Sequence, residues 1–286
     1  MTTTLEPRAL PTATEPRRAA PAPGMWRACA ARSKAELRAF FRNKQSLVFT
    51  LMFPVILLLV FGSIFSGKVA GTDTDLKQVF MAGIIAAGVM STAFSGLAVN
   101  IAIERDNGTV RRLAMTPMPK SAYFIGKLVR VTVTTALEAV LLIGLALLAF
   151  GLPLPSTPER WSTLLWDLAL GTAACAMAGA AYSALIPDSR SAAAIVTPVF
   201  MVLQFISGVF FPFGQLPSWM QTVAAFFPVK WMAQGFRSVF LPDTFTAVEP
   251  AGNWEQGHIA LVLAAWTLAG LALTALTFRW RGPRVR

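Results

Sequence analysis

Long uncharged, apolar runs alternate with short charged stretches along this chain. No Asp, Glu, Lys or Arg lies between Lys44 and Lys68 (23 residues), Lys77 and Glu104 (26), Asp167 and Asp188 (20), or Glu255 and Arg279 (23). Only Glu138 interrupts the stretch from Arg130 to Glu159, and 39 uncharged residues separate Arg190 from Lys230. A helix rises about 1.5 Å per residue, so about 20 apolar residues cross a hydrocarbon core about 30 Å thick. Five runs fit one crossing each. The 39-residue run is too long for one and holds Pro198, Pro212, Pro217 and Pro228, so it reads as a crossing followed by a broken, partly inserted segment. The pattern predicts an all-α integral membrane protein. Its six transmembrane helices fall at about 46–66, 79–103, 127–150, 165–186, 192–211 and 257–278, with a re-entrant segment at about 212–240 before the last.

Residues 1–24 hold five prolines and no apolar run, which predicts a disordered cytoplasmic tail rather than a secretory signal; 281–286 form a second tail. Across 25–44 the pattern changes. Trp26, Cys29, Ala30, Leu37, Phe40 and Phe41 share one helical face, and Arg27, Lys34, Arg38 and Arg42 flank it. That is an amphipathic helix suited to the membrane interface.

Composition narrows the function. Of 286 residues, 55% are hydrophobic and 14% charged, against about a quarter charged in soluble domains. Fourteen acids, one histidine and two cysteines leave few parts for catalysis, and no metal-ligand spacing occurs. A net charge of +11 could suit nucleic acid, but the cations sort by membrane side instead: 20 fall in the N-terminal segment, the loops after spans two and four, and the C-terminal tail, against five in the remaining loops. Positive segments stay cytoplasmic, so both termini are expected inside, with no nucleic-acid partner.

Two strings carry a resemblance. After span two come Glu104, Arg105, Asp106, Gly108, Thr109, Arg111, Arg112, Leu113 and Pro117, with Gly126-Lys127 opening the next span. After span five come Ser207, Gly208, Phe210, Phe211, Pro212, Pro217, Trp219, Pro228, Gly235 and Arg237. In order and topology these resemble the ABC type-2 permease family, and most nearly its daunorubicin-resistance type of drug exporter. The resemblance implies that the first string contacts a separate ATP-binding subunit and that the second forms a re-entrant hairpin capping the pathway outside. It also implies a second permease copy or sister permease, a bacterial cytoplasmic membrane, and ATP with magnesium held by the partner, none by this chain. The pair Arg111-Arg112 stands where the family's pattern has an acidic residue and an arginine.

No phosphate-binding loop accompanies these strings. A G-x-x-x-x-G-K-[ST] motif ending at Gly126-Lys127 would need glycine at Ser121 and a hydroxyl at Leu128. Glu138, near the middle of span three, costs about 2.5–3.5 kcal/mol on insertion scales and should face the bundle interior. It serves either a cationic cargo or proton path, or a hydrogen bond to another span. His258 reads as an interfacial histidine. Gly171, Ala174, Cys175, Ala178, Gly179 and Ser183 give span four a close-packing face. The expected function is the permease half of an ATP-driven exporter of an amphipathic drug, antibiotic or lipid-like molecule. The alternative is a proton-coupled transporter using Glu138, though such proteins more often carry internal repeats and several intramembrane acids.

Overall fold

A computed structural model of the chain describes residues 24–278. The expected tails, 1–24 and 281–286, lie outside the described residues except for Gly24. The described residues form helices α1 (Met25–Arg42), α2 (Lys44–Ile64), α3 (Leu76–Met90), α4 (Leu97–Asp106), α5 (Thr109–Ala114), α6 (Lys120–Phe150), α7 (Pro158–Tyr182), α8 (Ala192–Ile206), α9 (Ser218–Phe226), α10 (Pro228–Phe240) and α11 (Gln256–Thr277). A π-helical segment, Ser91–Gly96, joins α3 to α4 as one rod, Leu76–Asp106. The architecture is all-helical, as the apolar runs predicted.

Among the described residues, five helices are long and apolar enough to cross a membrane: α2, the α3–α4 rod, α6, α7 and α11. The sixth apolar run behaves differently. It forms α8, whose 15 residues extend only about 22 Å, and the helix stops at Ile206 instead of continuing to 211. Gly208 adopts φ +70°, a left-handed conformation open to glycine, and Pro212 precedes a short 3-10 turn at Phe213–Gln215. Two other boundaries shift. The third span begins at Lys120 rather than near 127, and the fourth at Pro158 rather than near 165. Thr157 caps α7 by accepting the Arg160 N–H at 3.3 Å, and Pro158 takes the first helical position, where its missing N–H costs nothing.

The α3–α4 rod is the central element, mostly buried, whereas α2 is mostly exposed and apolar. Close approach relies on glycines. At Gly179 of α7 a Cβ would collide with the Phe94 backbone, at Gly171 with Met232 of α10, and at Gly270 of α11 with Met177. The small-residue face of the fourth span is therefore used for packing within the bundle. Van der Waals contact of this kind must hold helices together where lipid offers no hydrophobic drive.

Candidate functional site

One end of the bundle carries the charged string after span two. Gly108 takes φ +75° and breaks the rod, and Asn107 Oδ1 then accepts the Thr109 N–H at 3.1 Å to start α5. On this short helix Val110 is buried and Leu113 half-buried. Arg111, Arg112, Met115 and Pro117 are exposed, Met115 at 74%. Arg112 donates to Thr109 Oγ1 at 3.2 Å.

The base of this projection is anchored in two directions. Arg105 donates to the carbonyls of Ser183, at 3.1 Å, and Ile186, and Asp106 accepts the Ser189 hydroxyl at 2.5 Å. Together they clasp the loop between α7 and α8. Glu104 faces the other way, into a buried lattice. Lys127 of α6 donates to Glu104 Oε1 at 2.5 Å, to Asn100 Oδ1 at 2.7 Å and to Glu36 of α1, whose Oε1 lies 2.9 Å away. Tyr123 donates to Glu104 Oε2 at 2.9 Å, and Arg32 pairs with Glu36. Arg130 lies 3.8 Å from Glu36 and over the Phe40 ring. Three cations thus meet two carboxylates from three separate elements.

Neither Glu36 nor Asn100 stood out in the sequence, and Lys127 and Arg130 counted there as loop cations. Both lie within α6, and Lys127 is 1% exposed. The missed signal was spacing. Cys29, Glu36 and Phe40 fall on one stripe of α1, and all three are buried. The packed face of α1 is therefore centred on an acid. Trp26 (89% exposed) and Phe41 lie outside it, and Leu37 is half-buried.

Farther along α6 the same stripe passes Thr134 and reaches Glu138, which is fully buried. Thr92, within the π-helical segment, donates to Glu138 Oε2 at 2.7 Å. Gly88 makes room, since a Cβ there would lie 2.7 Å from Oε1. Single-turn π segments inside α-helices are rare and concentrate at functional sites. Between the Glu138 and Lys127 levels lies a cavity of about 390 Å³, walled by α2, the π segment, α4 and α6 and lined in part by Ser91, Ser95, Asn100, Arg130 and Thr134.

The opposite end carries the second string. α9 and α10 fold back as a hairpin, and every residue of α10 is buried. Arg237 donates to Glu249 Oε1 at 2.7 Å and to the Gly208 carbonyl at 3.2 Å; its side chain is wholly inaccessible. Pro228 starts α10, Pro217 precedes α9, Ser207 is buried, and Phe210 stacks on Phe61 at 5.6 Å. Phe211 and Trp219 are exposed. His258 is exposed and 3.5 Å from Glu255. Gly235 faces Asp167, whose carboxylate makes no hydrogen bond among the described residues. The apolar-run reading put Asp167 at the border of a span. The earlier start of α7 instead makes it a second buried acid.

Among the described residues no cluster of His, Cys, Asp or Glu could hold a metal ion. The five apolar helices long enough to cross a membrane among the described residues mark a multi-pass membrane protein. Residues 27–241 match the family described as ABC-2 type transporter, and the chain belongs to that family. It is 24% identical over 260 residues to the daunorubicin resistance ABC transporter permease protein DrrB1 of Streptomyces coeruleorubidus, covering 89% of this chain and 84% of that one. It is 23% identical over 226 residues to the inner membrane transport permease YadH of Escherichia coli K12, covering 77% and 86%. The family is one of membrane subunits rather than catalysts, and normally works with an ATP-binding subunit.

Proposed function

We propose that this chain is the transmembrane half of an ATP-driven exporter, working as two copies or with a sister permease on a pair of separate ATP-binding subunits. The observation that carries this reading is the way α5 is mounted. Its exposed residues Arg111, Arg112 and Met115 offer a contact surface, while Glu104, Arg105 and Asp106 behind it grip α1, α6 and the α7–α8 loop. A force applied to α5 reaches all three at once. In this reading α8 is the fifth of six crossings and α9–α10 the re-entrant cap. α1 lies in the interface, and both termini are cytoplasmic in a bacterial plasma membrane. ATP closure beneath α5 would turn an inward-open pathway outward. The cargo is an amphipathic drug, antibiotic or lipid-like molecule, a class in keeping with the name of the DrrB1 relative.

The test is hydrolysis. Purified alone, the chain should show no ATPase activity; reconstituted with its ATP-binding subunit it should support vanadate-sensitive turnover that cargo stimulates. Robust hydrolysis by the chain alone overturns the reading. Asp167 gives the proton-coupled alternative a second buried acid beside Glu138. Uptake driven by a proton gradient in vesicles lacking the ATP-binding subunit would favour that alternative.

A further inference from the structure

The cavity between α2, the π segment and α6 is bounded by two polar levels. Lys127, Arg130, Thr134 and Glu138 recur every three or four residues, so they share one face of α6. From Lys127 to Glu138 that face extends about 16 Å at 1.5 Å per residue, close to one leaflet of hydrocarbon. At the Glu138 level one carboxylate oxygen accepts from Thr92, and the other faces Gly88 without a hydrogen bond among the described residues, so this level carries no spare donor for a ligand. The Lys127 level is open at one point.

That point is Arg130. Lys127 spends its donors on Glu36, Glu104 and Asn100, and Arg32 is paired with Glu36. Three cations against two carboxylates leave one positive charge over. Arg130 reaches Glu36 only at 3.8 Å, and its guanidinium makes no hydrogen bond among the described residues. It lines the cavity together with hydroxyls at Ser91, Ser95 and Thr134 and rings at Phe49 and Phe53. A cavity of about 390 Å³ with a few convergent polar groups has the dimensions of a small-molecule site. A second cavity among the described residues, about 370 Å³ between α7, α8 and α11, has almost wholly apolar walls and no charged group.

We infer that the α2–π–α6 cavity receives an amphipathic anion. Its carboxylate, sulfonate or phosphate pairs with Arg130, and its body lies along the π segment against Phe49 and Phe53. This rests on the permease reading and names the chemical class of its cargo. It also links cargo to motor, since Arg130 and Asn100 line the cavity and also border the lattice behind α5. Two sources share the chemistry, a dissolved amphiphile and an inner-leaflet phospholipid.

The test uses the full chain in phosphatidylcholine nanodiscs, with Ser95→Cys in a background of Cys29→Ser and Cys175→Ala, and follows the rate of maleimide labelling. Taurocholate below its micellar concentration should slow labelling, and rhodamine 6G, a cation, should not. Arg130→Gln should raise the taurocholate needed for half-protection by about tenfold or more, the worth of one charge-assisted contact. Arg130→Lys should retain most of the protection, which separates lost charge from lost fold. Protection by phosphatidylglycerol doped into the discs, also lost in Arg130→Gln, identifies lipid as the source; its absence identifies the dissolved amphiphile. Equal protection by cation and anion, or protection indifferent to Arg130→Gln, overturns the inference. Because no ATPase is measured, failure here is distinct from failure of the exporter reading.

Discussion

The two ends of the bundle both bury ion pairs, and they do so in opposite ways. At the basic end one lysine serves two carboxylates and an amide on two other elements, with arginines and a tyrosine filling the remaining positions. At the other end one arginine holds one carboxylate 12 residues away and a carbonyl just beyond α8. The first arrangement joins an N-terminal helix and two spans that would otherwise meet only through apolar contact. The second ties α10 to the loop that follows it and to the chain just beyond α8. A buried pair adds little net stability over apolar packing, but removing one partner leaves an uncompensated charge. The basic end therefore ties three separate elements to one another, and the hairpin end fixes a local shape.

Lys127→Met should do the most damage. It strips two buried carboxylates of their shared cation, at a cost near the upper end of about 3–5 kcal/mol. The melting temperature should fall, and α1 should become sensitive to protease together with weakened attachment of the ATP-binding subunit. Adding Glu36→Gln to Lys127→Met should restore part of the loss if the lattice is coupled. Arg237→Met should rank second, near the lower end of that range, because only Glu249 is orphaned. Its melting temperature should fall while the ATP-binding subunit stays attached. Loss of attachment in Arg237→Met equal to that in Lys127→Met would show that the two ends are one unit, and the contrast would fail.

The sequence allowed the two ends to be read to different depths. Apolar runs and the glycine break at Gly108 marked where helices pass and stop, because those signals are local. The stop ahead of Gly208 was not read, and the fifth span was expected to continue to 211. The break in the 39-residue run was visible in its prolines, although α8 proved shorter than the crossing expected there. The lattice was not visible, because its members lie 91 residues apart in the case of Lys127 and Glu36. A basic amphipathic helix with one acid looks like an interfacial helix until the acid's buried partner is found. Asp167 was obscured by the same logic: a charge was taken as the edge of a membrane segment, yet Thr157 and Pro158 start the helix before it. Counting charges finds loops well and finds buried charges poorly.

Arg112→Ala probes the comparison at its outermost point and should have the smallest effect on folding. Arg112 is exposed and loses only its bond to Thr109, so stability should change by no more than about 0.5 kcal/mol. If α5 is the docking surface, an exposed arginine at its centre is the type of residue that dominates interfaces, and its loss should weaken attachment of the ATP-binding subunit by about tenfold. ATPase stimulation should then fall alike for every cargo, since nothing in the cavity has changed. Titrating the ATP-binding subunit against the variant and the parent in nanodiscs, with melting temperatures measured alongside, separates the two effects. A variant that binds its ATPase normally would move the docking surface away from α5. The lattice behind it would then be a structural tie between α1, α4 and α6, with no part in transmitting the stroke.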